Sequence, residues 1–381
     1  MAGRSSEPIP YGTQSVSDED IEAVVAVLKS DRLTTGPAVA AFESGVAEVA
    51  GTRHAVAVSS GTAALHAAVF ALDIGPGDEV IVPPITFAAT ANCVAYQRGT
   101  PVFADVDAGT LLVDPGEVAR RMTPRTKAII AVDYAGQPCD YDALRRLADA
   151  SDVRLISDAC HAIGAAYKGR PVGSLADATV FSFHPVKTIT SGEGGMLTTD
   201  DEALAERARR FRNHGISADT RAREALGAWF YEMQDLGFNY RLSDIQCALG
   251  LSQLSRLQAW VRRRREIAAT YDTAFSEVGS LDPLAVRPDV THAYHIYVVR
   301  LHEALSRDQV FRSLRNLGIG VNVHYVPVHL HPWYRDRFGY GPGDMPVAEK
   351  AYDQLLTLPL FPGMTDDDVR RVVDSVLRVV A

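Results

Sequence analysis

Cysteine is scarce in this chain of 381 residues: there are four, Cys93, Cys139, Cys160 and Cys247, with no C-x-x-C pair among them. Four isolated thiols exclude a disulfide framework and suit a reducing compartment. No run approaches the ~20 apolar residues a membrane helix requires. Residues 1–10 hold no apolar stretch of the kind a secretory leader needs, so no membrane association and a cytoplasmic location are expected. A basic excess is missing as well, since the net charge is -9, and nucleic acid is not an expected partner. The arginines at 262–265 and Arg207, Arg209, Arg210 and Arg212 fall in helix-like segments, where they read as solvated faces. Internal repeats and low-complexity linkers are absent too. What the chain has is apolar substance: 47% of it is hydrophobic, enough for a large core and for two domains.

Short β-like runs at 55–58, 79–82, 102–106, 128–132, 154–158, 179–183 and 196–199 alternate with helical patterns such as 62–72, 86–96, 141–150 and 202–213. Strands separated by crossover helices predict an α/β fold with a mostly parallel sheet covered on both faces. A proline-free segment over 242–275, with Ile245, Leu249, Leu254, Leu257 and Val261 spaced as a buried stripe, carries the chain out of this unit. Beyond it come strand-like runs at 295–301 and 321–325, a helix near 306–317, and a helix at 366–380 that opens on three acids, as a helix N-terminus favours. The expected organisation is an N-terminal arm over 1–15, a large domain over 16–250 and a smaller C-terminal α/β domain over 251–381.

Two of the apolar runs end on reactive groups. Val153-Arg154-Leu155-Ile156-Ser157-Asp158 closes on a carboxylate, and Ala178-Thr179-Val180-Phe181-Ser182-Phe183 leads through His184-Pro185-Val186 to Lys187. An amine that forms a Schiff base needs a fixed, partly desolvated position. A carboxylate facing a pyridinium nitrogen keeps the ring protonated, so that it can accept electrons. The pair therefore suggests the anchors of a pyridoxal phosphate, against the plainer readings of a surface ion pair or a helix cap. Upstream, a β-like run breaks at Ser59-Ser60-Gly61-Thr62-Ala63 and continues as a small-residue helix. Strand, glycine turn and helix N-terminus aim free amides and a positive dipole end at one point, which suits a phosphate; a simple cap at Ser60 is the alternative. In a parallel sheet, ligands sit beyond the carboxyl ends of the strands, and Ser60, Asp158 and Ser182 all fall there.

These residues carry a resemblance. The chain resembles the DegT/DnrJ/EryC1/StrS aminotransferases, fold-type I enzymes that use pyridoxal phosphate to aminate keto groups on nucleotide sugars. The likeness runs from Ile9-Pro10-Tyr11 to Leu358-Pro359-Leu360-Phe361-Pro362. Three further stretches, Phe181-Ser182-Phe183-His184-Pro185-Val186-Lys187, Glu232-Met233-Gln234-Asp235-Leu236-Gly237-Phe238-Asn239 and Val323-His324-Tyr325-Val326-Pro327-Val328-His329, resemble the branch that makes UDP-4-amino-4,6-dideoxy-N-acetyl-β-L-altrosamine.

The resemblance implies a seven-stranded, mostly parallel sheet in the large domain, with Lys187 as the Schiff-base and catalytic lysine and Asp158 as the partner of the pyridinium nitrogen. It implies Gly61, Thr62, Ala63 and Ser182 around the phosphate, Phe87 stacked on the ring, and His161 near the phenolic oxygen. Asn239 would reach the phosphate from a neighbouring subunit, which implies a homodimer with shared active sites. Tyr11, the turn Asp31-Arg32-Leu33-Thr34 and the stretch His324-Tyr325-Val326-Pro327 would lie near the sugar. Without the resemblance, Phe87 reads as a core residue and the histidines as packing residues. His329 and His331 alternate as metal ligands could, but no nearby carboxylate or cysteine completes a set, so no metal is expected.

The implied reaction is a ping-pong transamination. An amino-acid donor, glutamate, loads the cofactor as pyridoxamine 5′-phosphate, which then aminates C4 of UDP-2-acetamido-2,6-dideoxy-β-L-arabino-hex-4-ulose. Lys187 moves the proton in both halves. Lys187 argues against a related dehydratase chemistry, in which histidine replaces the lysine. A different keto sugar or an aminocyclitol remains as an alternative, because the core machinery is shared among them; a non-catalytic sensor is the other class of reading, and no basic DNA-reading segment in the sequence supports it.

Overall fold

The computed structural model describes residues 7–216, 227 and 229–381; the first six residues of the expected N-terminal arm lie outside it. Seven strands form the main sheet: β1 (His54–Val58), β2 (Glu79–Val82), β3 (Thr100–Phe103), β4 (Thr126–Val132), β5 (Arg154–Asp158), β8 (Ala178–Ser182) and β9 (Gly195–Thr199). Their order is β1-β9-β8-β5-β4-β2-β3. Pairings from β3 through β8 are parallel, whereas β9 runs antiparallel to both β8 and β1. The strands are nearly continuous apolar runs, as in β4, where six of the seven positions are buried. That pattern marks a sheet covered on both faces.

Local chemistry sets the helix ends. Pro37 opens Pro37–Ala50 and Gly51, at φ 68°, closes it in the left-handed region that glycine adopts without strain. Thr365 and Asp368 form a capping box on Asp366–Val380, whose Val369, Val372, Val376 and Val380 face inward. The proline-free segment resolves into two helices, Asp244–Leu254 and Leu257–Phe275, broken at Ser255–Arg256. The Arg256 guanidinium leaves that break to pair with Asp20, which is fully buried on the first helix, Asp18–Leu28.

A second apolar cluster gathers Ile267, Tyr271, Val299, Leu314, Leu356 and Val376 around the antiparallel sheet β10-β12-β13 (Leu281–Pro283, Tyr297–Leu301, Leu355–Leu358). Ile9 belongs to this cluster, and its backbone pairs with Gly318 and Gly320 at 2.8 and 2.6 Å. The N-terminal arm is thereby pinned, which places Tyr11 beside the functional residues described below. The remaining short strands are β6 (Ala166–Tyr167), β7 (Arg170–Pro171) and β11 (Val290–Thr291).

The strand expected at 321–325 does not form. Asn322 makes one bridge to Thr357, but its side chain then takes the Val323 amide at 2.8 Å, and His324 Nδ1 lies 2.8 Å from Thr357 Oγ1. Side-chain hydrogen bonds here replace a strand ladder. The chain is turned instead across the sheet, where the Val328 amide meets Pro84 O at 2.8 Å. No helix among the described residues is long and apolar enough to cross a membrane.

Candidate active site

The parallel register aligns Val132, Asp158 and Val180, so β4, β5 and β8 end along one edge. Helix Gly61–Ala71 begins against that edge. Ser60 is extended and its Oγ accepts the Ala63 amide at 3.1 Å. The amides of Gly61 and Thr62 make no hydrogen bond among the described residues, so two first-turn donors stand open at a positive helix end. Ala63, which the resemblance places around the phosphate, follows them in the same turn with its amide on the Ser60 cap. Glycine is required at 61 and 195 by close approach. A Cβ on Gly61 would lie 2.9 Å from Ser182 Cβ and 3.0 Å from Cys160 Sγ, and one on Gly195 would lie 2.2 Å from Ser60 O.

Asp158, almost fully buried, accepts a 2.6 Å hydrogen bond from Thr90 Oγ1 and a longer one, 3.3 Å, from the Cys160 amide. Thr90 in turn lies 2.7 Å from Thr86 Oγ1. Hydrogen bonds from two sides fix the direction in which this buried carboxylate points. Lys187 sits in a loop locked at its base: Ser191 N and Thr190 Oγ1 both donate to Phe183 O at 3.0 Å. Burial lowers the Lys187 ammonium pKa, opposed by the nearby Cys160 and Asp158. A lysine so placed keeps more of the neutral, nucleophilic amine than a surface one.

Around this pair stand aromatic and imidazole groups. His161 Nε2 lies 3.1 Å from the Tyr325 hydroxyl, and the His161 ring packs 4.4 Å from that of His295. Burial, and next the Lys187 charge, push both imidazoles well below their ordinary pKa, which keeps them neutral. The Nδ1 atoms of His161 and His295 are buried without a partner among the described residues. Such orphans in a buried site call for an explanation, and a ligand's hydrogen-bonding atoms supply one. Phe87 is 63% exposed, with its ring 6.2 Å from Tyr325, so it is a free aromatic face at the mouth and not a core residue. His324 lies under Tyr11 with rings 5.5 Å apart, its carbonyl held by the Tyr134 hydroxyl, and burial lowers its pKa to about 4.

The residues expected near a sugar divide into two groups. Tyr11, His324 and Tyr325 join the cluster, with exposed Val326 and buried Pro327 continuing along its rim. The turn Asp31-Arg32-Leu33-Thr34 does not: it is exposed and tied to helix Asp244–Leu254, with Leu33 O taking the Asp244 amide at 3.0 Å and Thr34 bridging Ser243. Asn239 is exposed beside the end of β1, where the Ser59 amide donates to Tyr240 O at 2.8 Å. His329 lies 3.0 Å from Glu349, and among the described residues no three His, Cys, Asp or Glu side chains gather as a metal site. Thr90, Thr86 and His295 were not singled out from the sequence. The two threonines stand four apart in sequence, Thr86 in the bend before helix Ala89–Tyr96 and Thr90 in its first turn, and that spacing is a signal that could have found them.

Comparison with known proteins agrees with this geometry. The family model of the DegT/DnrJ/EryC1/StrS aminotransferase family matches residues 14–377. The spore coat polysaccharide biosynthesis protein SpsC of Bacillus subtilis is 43% identical over 385 residues, covering 100% of this chain and 99% of that protein. Among solved structures, the proposed sugar aminotransferase Spr1654 of Streptococcus pneumoniae in its PMP form superposes with a TM-score of 0.93 at 32% identity, covering 98% of this chain and 99% of that one. PseC of Helicobacter pylori, an aminotransferase involved in the biosynthesis of pseudoaminic acid, gives 0.92 at 32% identity, with the same coverage. The architecture is the fold-type I arrangement. Across nearly its whole length, therefore, the chain belongs to the DegT/DnrJ/EryC1/StrS aminotransferase family.

Proposed function

We propose that this aminotransferase works in the cytoplasm with pyridoxal 5′-phosphate, moving an amino group from L-glutamate to C4 of UDP-2-acetamido-2,6-dideoxy-β-L-arabino-hex-4-ulose. The observation that carries the reading is one crevice holding a partly buried lysine, a buried and hydrogen-bonded carboxylate, and open helix-terminal amides. These fit the cofactor's aldehyde, its ring nitrogen and its phosphate respectively. The two orphan imidazole nitrogens fit its ring substituents. When bound, the cofactor supplies a carbonyl that carries the amino group and a ring that accepts an electron pair.

The chain's own residues do the rest. Lys187, its ammonium pKa lowered by burial, would hold the cofactor's carbonyl carbon through its amine and would take and return the proton at the reacting carbon. Asp158, aimed by Thr90, holds the ring nitrogen protonated. Gly61 and Thr62 bind the phosphate with Ser182, and Phe87 covers the ring. His161, neutral and tied to Tyr325, donates a hydrogen bond without adding charge. Tyr11, His324 and Tyr325 form the sugar wall next to Lys187.

The assembly is a homodimer with shared sites. Support comes from the exposed apolar side chains Trp229, Phe230, Met233, Leu236 and Phe238, crowded just before Asn239. A patch of that kind favours burial against a second protein surface. A dimer also accounts for Asp31-Arg32-Leu33-Thr34, which lie away from their own Lys187 and would serve the sugar of the other subunit. The Bacillus subtilis relative's part in spore coat polysaccharide biosynthesis supports a product destined for a surface polysaccharide.

The test is turnover of purified protein with L-glutamate and a panel of keto nucleotide sugars, read as 2-oxoglutarate and aminated product by mass spectrometry. Turnover of the UDP-linked L-arabino 4-keto sugar alone supports the assignment. Preference for another keto sugar or for an aminocyclitol overturns the substrate and leaves the chemistry standing.

A further inference from the structure

Helix Gly61–Ala71 is almost wholly apolar, yet it buries one imidazole, His66, at 3% exposure. A buried imidazole loses its hydration and is tolerated where both ring nitrogens find partners. Both do: Nδ1 lies 3.2 Å from the Tyr240 hydroxyl and Nε2 lies 2.8 Å from the Gln97 side-chain amide. Burial lowers its pKa to about 4, so the ring is neutral near pH 7 and one nitrogen donates while the other accepts. An apolar side chain would fill this place without desolvating a polar group. What the imidazole adds is direction, a fixed line from the helix to Tyr240.

The element held by that line is the segment 238–240. Tyr240 stacks on Phe238 with ring centroids 5.0 Å apart, and the His66 ring packs 5.1 Å from Phe238 and 4.9 Å from Phe211. The backbone is pinned on either side, since the Ser59 amide donates to Tyr240 O at 2.8 Å and the Tyr240 amide donates to Arg212 O at 2.9 Å. In extended chain, alternate side chains leave opposite faces. With Phe238 and Tyr240 turned to His66, Asn239 is turned outward, and it is exposed.

We propose that His66 is a positioning residue for Asn239: through Tyr240 it fixes the extended segment 238–240 that presents Asn239 to the cofactor phosphate of a second copy of this chain. The proposal rests on the dimeric reading above and adds the link between the two sites. The first turn of helix Gly61–Ala71 meets its own cofactor's phosphate, and the next turn of the same helix carries the imidazole that sets the reach to the other. One rigid element thereby registers both phosphate contacts.

The test uses the full chain with Tyr240→Phe, His66→Phe, Asn239→Ala and the double variant Asn239→Ala/Tyr240→Phe. The readouts are the dissociation constant for pyridoxal 5′-phosphate, from absorbance titration of the apo dimer, and the melting temperature of the apo protein. Loss of one hydrogen bond to a charged group predicts roughly tenfold weaker binding for Asn239→Ala. Tyr240→Phe keeps the ring stack and removes only the hydroxyl, so it should weaken binding several-fold, beside the modest fall in apo melting temperature that an unpaired buried His66 Nδ1 brings. His66→Phe should weaken binding likewise. The double variant should bind no worse than Asn239→Ala, because the two residues act through one contact. Additive losses in the double variant, or unchanged affinity in Tyr240→Phe beside a weakened Asn239→Ala, overturn the proposal alone. Unchanged affinity in Asn239→Ala overturns the dimeric reading beneath it.

Discussion

Replacing Thr90 with valine removes one hydroxyl and leaves the side-chain shape intact. That hydroxyl makes the 2.6 Å hydrogen bond that aims Asp158, and the Cys160 amide donates a longer one at 3.3 Å. A hydrogen bond to a charged group is worth about 1.5–3 kcal/mol. Spread over the pairing between Asp158 and a pyridinium, that amounts to roughly 10–150-fold in cofactor affinity. Thr86 loses its 2.7 Å partner in the same variant, a buried hydroxyl left unsatisfied, which costs about 1 kcal/mol of folding stability. The paired variant Thr86→Val/Thr90→Val removes that cost and leaves the affinity loss. Titration of apo protein with pyridoxal 5′-phosphate, followed by absorbance, measures the first effect, and urea unfolding measures the second. The reasoning is refuted if Thr90→Val binds the cofactor within twofold of the parent while Asp158→Asn loses it.

Gly195→Ala would set a Cβ 2.2 Å from Ser60 O, against backbone that cannot swing aside. About 3 kcal/mol of stability and at least tenfold in cofactor affinity should go together; calorimetry and titration that find neither would contradict the cradle geometry. Acid should destabilise the apo protein through its buried imidazoles. Burial holds His66 and His324 at about 4 and His292 at about 3, below the ~6.5 of an unfolded histidine. Between those values the unfolded chain takes up protons that the folded chain refuses, so stability present at pH 7 is lost as pH falls from about 6.5 toward 4. Each imidazole adds up to ~1.4 kcal/mol per pH unit. Asp133, raised by burial to about 7, works in the opposite sense over the same range. His66→Phe isolates one proton: its urea stability should fall with pH less steeply by about that amount, and equal slopes would show that His66 is not buried neutral.

Much of this site was legible because its elements are short and sharply punctuated. Runs 79–82 and 154–158 are strands at those bounds, and 141–150 and 366–380 are helices at theirs. In each case an apolar run ends at a cap or a turn residue, so local chemistry and burial agree. The crevice followed from topology, since strands joined by crossover helices bring Ser60, Asp158 and Ser182 to one edge. The strand misread at 321–325 shows the limit. Val321 and Val323 alternate with polar residues as a strand would, but Asn322, His324 and Thr357 divert the hydrogen bonds into side chains, and that pairing spans the gap from 324 to 357. The same distance hid Thr90 from Asp158 and His295 from His161, because contacts far apart in the chain leave no local period. The reversed direction of β9 was equally invisible, since an apolar strand looks the same read either way.

The most direct test of the central claim is borohydride reduction of the protein loaded with pyridoxal 5′-phosphate, followed by peptide mass spectrometry. One reduced adduct should appear, on the peptide containing Lys187, and none on Lys29, Lys127, Lys168 or Lys350. An adduct on any of those four, or a Lys187→Ala variant that transaminates as fast as the parent, would contradict the account.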